Sequence, residues 1–267
     1  MPVASRHGVQ LSLASSSSKI GTMLSRLQPV LITAMCLSSG APLIGAQAAV
    51  APHPRSVELN PSQRVEALIE RVRIEQSKIT DLTADFVQVK ESALLLEPLE
   101  SSGEFAYAAP DRVRWEYERP DPISILIHDQ EMITWYRDIQ RAELVSVGRQ
   151  SQRVLEYLGA TSSLDDLLEY FLVTLTVPTD PAEPYVFSLA PKFDKVAKRI
   201  QGMTIWIDSE HFLPNRLRYV EADGDITDLR FEHIVINSEV PDEHFELQLP
   251  STVEVRRIEL ESASLTP

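Results

Sequence analysis

Few residues in this chain combine the type and the spacing that chemistry requires. The six histidines are scattered, and no two stand at the His-x-x-x-His spacing that brings a pair of imidazoles to one helix face. The single cysteine, Cys36, has no second thiol with which to share a metal. Asp223-Gly224-Asp225 opens like a calcium loop but lacks the remaining oxygen ligands, and reads instead as a two-residue hairpin turn. There is no Gly-x-Ser-x-Gly elbow for a serine nucleophile, and the nine glycines form no phosphate-cradling loop. Asp165 and Asp166 adjoin one another at an expected helix start, where carboxylates serve the dipole. These patterns point away from an enzyme, a resident cofactor or a metal.

What remains is the chemistry of apolar surface. Phe86, Phe105, Trp115, Trp135, Phe187 and Phe231 alternate with polar neighbours along strand-like stretches. Such rows either fill a sandwich core or line a cavity for a greasy ligand, and alternation alone allows both.

The elements that must position these residues are mostly strands. Asn60-Pro61-Ser62-Gln63 is a helix start, with Asn as cap, Pro at the first helical position and Gln at the third. Val65, Leu68, Ile69 and Val72 follow at helical spacing, a stripe running to about Ser77. From Asp81 the period changes to two. Leu82, Ala84 and Phe86 share a face, as do Phe105 and Tyr107, then Val113, Trp115 and Tyr117, then Ile123, Ile125 and Ile127. The Ala109-Pro110-Asp111 and His128-Asp129-Gln130 turns join them, and the chain returns from Met132 to Tyr136. Helices are expected over 151–159 and 163–171, the second carrying Leu164, Leu167, Leu168 and Phe171 on one side. Strands resume over 172–177, 185–190, 202–208, 214–220, 226–236 and 245–249. The expectation is a mainly β (α+β) fold: a curved, incomplete antiparallel barrel of about ten to eleven strands, its helices covering an apolar cavity.

The N-terminus reads as an export signal. Arg6, Lys19 and Arg26 precede any acidic residue, Pro29 to Ala49 is small and apolar, and the Ala46-x-Ala48 pattern places cleavage after Ala48, with Ala49 as the alternative. Cys36 is preceded by Thr33-Ala34-Met35, a poor lipoprotein signal, so an unanchored product is expected over a lipid-anchored one. Residues 1–48 would then be removed, 49–60 would be a flexible lead-in, 61–257 one domain and 258–267 a tail. Losing three positive charges takes the formal charge from −14 to −17, which argues against nucleic acid and anionic lipid surfaces.

The order of these segments resembles the LolA family of periplasmic lipoprotein carriers. The resemblance rests on Ala84-Asp85-Phe86-Val87-Gln88, Gly103-Glu104-Phe105 and Pro110-x-x-x-Arg114-Trp115-x-Tyr117-x-x-Pro120. It continues through the Asp129 turn, Trp135-Tyr136, Leu189-Ala190-Pro191-Lys192, Ile205-Trp206-Ile207-Asp208, Leu213-Pro214 and Phe245-Glu246-Leu247-Gln248-Leu249-Pro250. It implies a half-open β-barrel acting as a monomeric carrier. Such a carrier takes acylated lipoproteins from an inner-membrane ABC exporter to an outer-membrane acceptor. Position by position it implies a lipid-binding cavity lined by Phe105, Val113 and Trp115, with Phe86, Ile125 and Trp135 as weaker matches. Ile127, Phe187, Ile205 and Phe231, from the strand segments, complete the expected cavity, and Leu164, Leu167, Leu168 and Phe171, on one helix side, its expected lid. Many family members carry an arginine just before the second hairpin's proline, where it ties the lid shut. Here that residue is Ala109, leaving Arg112 or Arg114 as substitutes, with Arg114 expected to point outward. Other readings of the same fold are a lipid-anchored receptor, a sensor module and a carrier of glycolipids or other lipids.

Overall fold

The computed structural model describes residues 52–129, 131–146 and 168–258. Helix α1 (Pro61–Gln76) starts where the sequence sets it: Gln63 N–H donates to the Asn60 side chain at 2.9 Å, and Asn60 N–H donates back to Gln63 Oε1 at 3.0 Å. This reciprocal cap satisfies two amides that a helix N-terminus otherwise leaves orphaned. The helix buries Leu68, Ile69 and Val72, each burial contributing about 2 kcal/mol by area.

Twelve strands follow: β1 (Asp81–Glu91), β2 (Leu99–Ala108), β3 (Arg112–Arg119), β4 (Ile123–His128), β5 (Glu131–Tyr136), β6 (Arg141–Ser146), β7 (Phe171–Thr176), β8 (Tyr185–Pro191), β9 (Ile200–Ile207), β10 (Pro214–Glu221), β11 (Ile226–Ile236) and β12 (Glu254–Ile258). A one-turn helix α2 (Asp194–Ala197) precedes β9, and a 3-10 turn η1 (Asp242–Phe245) follows β11. The strands form one sheet in the order β12-β6-β5-β4-β3-β2-β1-β11-β10-β9-β8-β7. It is thus two meanders, β1–β6 and β7–β11, welded by the β1–β11 pair. All neighbours are antiparallel except β12 and β6. The sheet curves without closing, because β7 and β12 remain as free edges.

Short turns of the expected kind make the hairpins. Gly224 sits at φ 95° between β10 and β11, where a side chain would be strained. Asp225 N–H donates to Asp223 Oδ1 there, so Asp223-Gly224-Asp225 serves as a turn. Asp81 ties the start of β1 to the chain beyond β11. Burial alone would raise its carboxyl. Hydrogen bonds from the Thr80 hydroxyl and from the Ser238 and Val240 amides outweigh that and hold it below the ordinary carboxylate range.

One face of the sheet, the inner face, carries two apolar clusters. The first gathers Leu82, Ala84, Phe86, Phe105, Trp115 and Ile125 with their neighbours on β1–β6. The second packs α1 onto Tyr185, Phe187, Ile205, Ile207 and Tyr219 of β8–β10. On the outer face η1 plants Phe245 against Ala106, Ala108 and Leu126.

The elements differ from the sequence reading in five places, the first being the short helix α2, for which the sequence reading has no counterpart. Strand β6 was not anticipated, because Arg141 and Glu143 take its inward positions and interrupt the apolar alternation. Strand β12, exposed throughout, was not expected as an element. The segment expected as a strand from Phe245 begins as the last residue of η1 instead. Phe171, expected on a helix, opens strand β7, although residues 168–170 are helical. The expected helix over 151–159, with Leu164 and Leu167, lies outside the described residues.

Candidate functional site

The first inner-face cluster is chiefly aromatic. Phe86 and Trp115 meet edge to face with ring centroids 4.8 Å apart, and Phe86 meets Tyr117 at 4.9 Å. Phe105 lies 4.7 Å from Trp115 and 5.4 Å from Phe231, which is itself 5.7 Å from Trp115. These are favourable aromatic geometries, each worth about 0.5–1.5 kcal/mol beyond area burial. The register explains the gathering: Phe86 stands opposite Phe231 across β1–β11, and Phe105 opposite Trp115 across β2–β3. Gly103 stands between Phe86 and Tyr117, so the two rings meet over a residue with no side chain. Tyr117 donates to Gln88 Oε1 at 3.2 Å, and burial pushes its phenol pKa up.

The ten expected cavity residues fall into three places. Phe86, Phe105, Val113, Trp115 and Ile125 lie in the first cluster, with Ile127 and Phe231 half-buried at its edge. Phe187 and Ile205 lie on the same face but in the second cluster, under α1. Trp135 is a correction. It pairs with Ser124 and Ala142, while the inward row of β5 is Met132, Thr134 and Tyr136. Side chains alternate along a strand, so a one-residue difference in parity moves the ring to the other face. There Trp135 receives the Arg137 guanidinium 5.2 Å from its ring centroid. The inward residue is Thr134, whose hydroxyl gives no apolar signal beside the tryptophan.

Of the lid residues, Leu168 is half-buried against the second cluster, and its carbonyl accepts from Lys192 Nζ at 2.5 Å. Phe171 is buried within that cluster.

Neither candidate arginine reaches the inner face. Arg114 points outward, as expected, donating to the carbonyls of His244 (2.7 Å) and Glu246 (3.3 Å) while pairing with Glu116. Arg112 pairs with Asp242 at 2.5 Å and lies over the Phe245 ring. Both therefore hold η1 and the chain after it against the outer face. Ala109 packs at the edge of the first cluster.

Among the described residues, the acidic cluster that could hold a metal ion is superficial. Asp111, His128 and Asp129 bring one ligand atom each within 4.8 Å of the others, all three being exposed. Two separate turns bring them together, a proximity the sequence does not display. On the outer face Arg216 grips Asp228 through two hydrogen bonds of 2.9 and 2.6 Å. Burial would raise Asp228, but Arg216 and Arg230 outweigh it and hold the carboxyl below its ordinary value. No described helix is long and apolar enough to cross a membrane. The geometry thus provides a dense apolar face on an open sheet.

The family model described as outer membrane lipoprotein carrier protein LolA matches residues 77–248. An outer-membrane lipoprotein carrier protein of Alkalilimnicola ehrlichii is 31% identical over 180 residues, 66% of this chain and 78% of that protein. An uncharacterized conserved protein from Thermus thermophilus is structurally similar, with a TM-score of 0.48 and 11% identity over 73% of this chain and 99% of that one. A LolA superfamily protein from Nitrosomonas europaea scores 0.37 at 11% identity, covering 68% and 97%. The lipoprotein LppX of Mycobacterium tuberculosis scores 0.42 at 13% identity, covering 66% and 98%.

Proposed function

The chain belongs to the LolA family of outer-membrane lipoprotein carriers, and from that premise we propose that it is a periplasmic carrier. It would hold the acyl chains of lipoproteins against its inner face and move them from an inner-membrane ABC exporter to the outer membrane. The observation that carries the reading is the Phe86–Phe105–Trp115–Phe231 cluster on the inner face of a sheet that does not close.

The physical demand on such a carrier is simple. Each buried methylene is worth about 0.8 kcal/mol, so an acyl chain of ~15 carbons represents on the order of 10 kcal/mol of exposed apolar surface in water. A carrier must match much of that, yet release it downhill to a membrane. Aromatic rings that already pack on one another suit this task, because cargo replaces ring–ring contacts with ring–chain contacts. Val113, Ile125, Ile127, Phe187 and Ile205 extend the apolar face in this reading, and Leu168 and Phe171 belong to its cover.

Capture from an envelope extract tests the proposal. Acylated lipoprotein is expected to co-purify with the protein, and the same cargo lacking its lipid-modified cysteine is not. Equal capture of both forms would sink the reading. Release of lipoprotein from inner-membrane vesicles containing the exporter then tests the shuttle itself.

A further inference from the structure

The two ends of the sheet differ in what they offer to solvent. At one end the chain turns between β1 and β2, between β5 and β6 and between β8 and β9, and each connection carries an exposed apolar side chain. The β1–β2 tip holds Leu94-Leu95-Leu96, with Leu94 95% exposed and Leu96 fully so. Ser92 fixes that tip: its hydroxyl accepts from Leu94 N–H at 3.2 Å and its carbonyl from Leu95 N–H at 3.0 Å. Ile139, between β5 and β6, is 64% exposed, and Phe193, between β8 and β9, is 55% exposed. At the opposite end the turns present Asp111, Asp129, Asp180, Glu183 and Glu210 instead, all exposed.

The strand order spaces the three apolar tips evenly. Four strand steps separate the β5–β6 tip from the β1–β2 tip, and four more separate that tip from the β8–β9 connection. With strands roughly 4.8 Å apart, the outer tips lie about 19 Å along the rim on either side of the leucines. Because the sheet curves, the three points do not fall on a line, and together they define a plane. Three consecutive leucines at an exposed turn add nothing to a core. A fluid bilayer accepts separate apolar tips without the matched shape that a folded partner needs.

The β8–β9 tip adds charge. Lys195, Lys198 and Arg199 are exposed around Phe193, and with Lys192 they set four cations against the single carboxylate of Asp194, in a chain whose formal charge is −14. An aromatic ring among cations is a composition that suits an anionic headgroup layer.

We propose that this rim docks the protein on an anionic phospholipid bilayer. The leucine tip, Ile139 and Phe193 enter the headgroup layer, while Lys195, Lys198 and Arg199 pair with its phosphates. The acidic remainder of the surface is repelled by the same membrane, which fixes the orientation and keeps the attachment brief. The docking stands on the rim alone, apart from the carrier reading, and concerns how the protein meets a membrane rather than what it holds.

Cosedimentation of the purified protein with vesicles tests this. Vesicles of phosphatidylcholine with about one-quarter phosphatidylglycerol are expected to bind the wild type about tenfold more tightly than phosphatidylcholine alone, a difference lost at high salt. Lys195→Gln combined with Lys198→Gln is expected to abolish that preference, each cation being worth about fivefold. Leu94→Ser combined with Leu96→Ser is expected to weaken binding about tenfold on both compositions. Val235→Ser, at an exposed apolar residue toward the other end of β11, leaves binding unchanged. All these side chains are exposed, so the melting temperatures stay at the wild-type value. A wild type that binds neither vesicle overturns the docking rim, and so does binding that survives the leucine substitutions or falls equally with Val235→Ser. A preference that survives the double lysine substitution overturns it too. Each of these results leaves the carrier reading to its own capture experiment.

Discussion

Gly103→Ala is expected to be among the most damaging single-methyl additions this fold can receive. A Cβ built at Gly103 would lie 1.8 Å from the Glu116 carbonyl oxygen, 2.8 Å from its carbon and 3.0 Å from Tyr117 Cα. All three are backbone atoms of the neighbouring strand, so no side chain can swing aside. Normal contact needs a retreat of about 1.5 Å, roughly a third of the spacing between paired strands. That retreat parts β2 from β3 beside the Phe105–Trp115 pair. We expect a loss of about 4 kcal/mol or more, in the exceptional class for point substitutions, from a total stability on the order of 10 kcal/mol. Urea unfolding measures it, and the melting temperature should fall by roughly 10 °C or more. Two controls frame the result. Gly202→Ala meets only the Leu189 carbonyl at 3.4 Å, and should stay within about 1 kcal/mol of wild type. Gly224→Ala has open space but a φ of 95°, and should cost about 1 kcal/mol. A Gly103→Ala loss no larger than that of Gly224→Ala would refute the steric reasoning.

Arg114→Ala removes donors to the His244 and Glu246 carbonyls and to Glu116. It should cost about 1–3 kcal/mol and speed amide exchange over 241–250, with lipid binding unchanged. Trp115→Ala should destabilise by about 3–5 kcal/mol and weaken lipid binding, whereas Trp135→Ala, on the other face, should leave affinity at the wild-type value in a fluorescent-lipid titration. Asp228 is held below its ordinary 3.8 in the folded state, so its contribution is complete above that value. It is lost as pH falls from there through the depressed folded value. Asp228→Asn should therefore flatten the acid limb of a stability–pH profile measured by urea unfolding below about pH 4.

Much of the fold was legible because its signals are local. The Asn60–Gln63 cap needs only four consecutive residues, and Leu68, Ile69 and Val72 declare a helix face by spacing alone. The inward set Phe86, Phe105, Val113, Trp115 and Ile125 followed from alternation within single strands. The same logic failed where inward positions are polar. Arg141 and Glu143 hid β6, and Thr134 lost its place to Trp135, since an apolar rule cannot recognise an inward hydroxyl or ion pair. Phe245 looked like a strand residue because nothing local shows that η1 would seat it between Ala106, Ala108 and Leu126.

The sequence by itself determined which segments alternate, where α1 starts, and that the chain buries a large aromatic set without catalytic or metal-binding spacing. Only the tertiary structure decided that β1 pairs with β11, which sets Phe231 beside Phe86 and Phe105 and joins two meanders into one inner face. It alone revealed that Arg112 and Arg114 clasp the outer face. The reason is physical. Period and capping are encoded within a turn or a strand, whereas register is a long-range agreement between strands, and a shift of one residue exchanges the two faces.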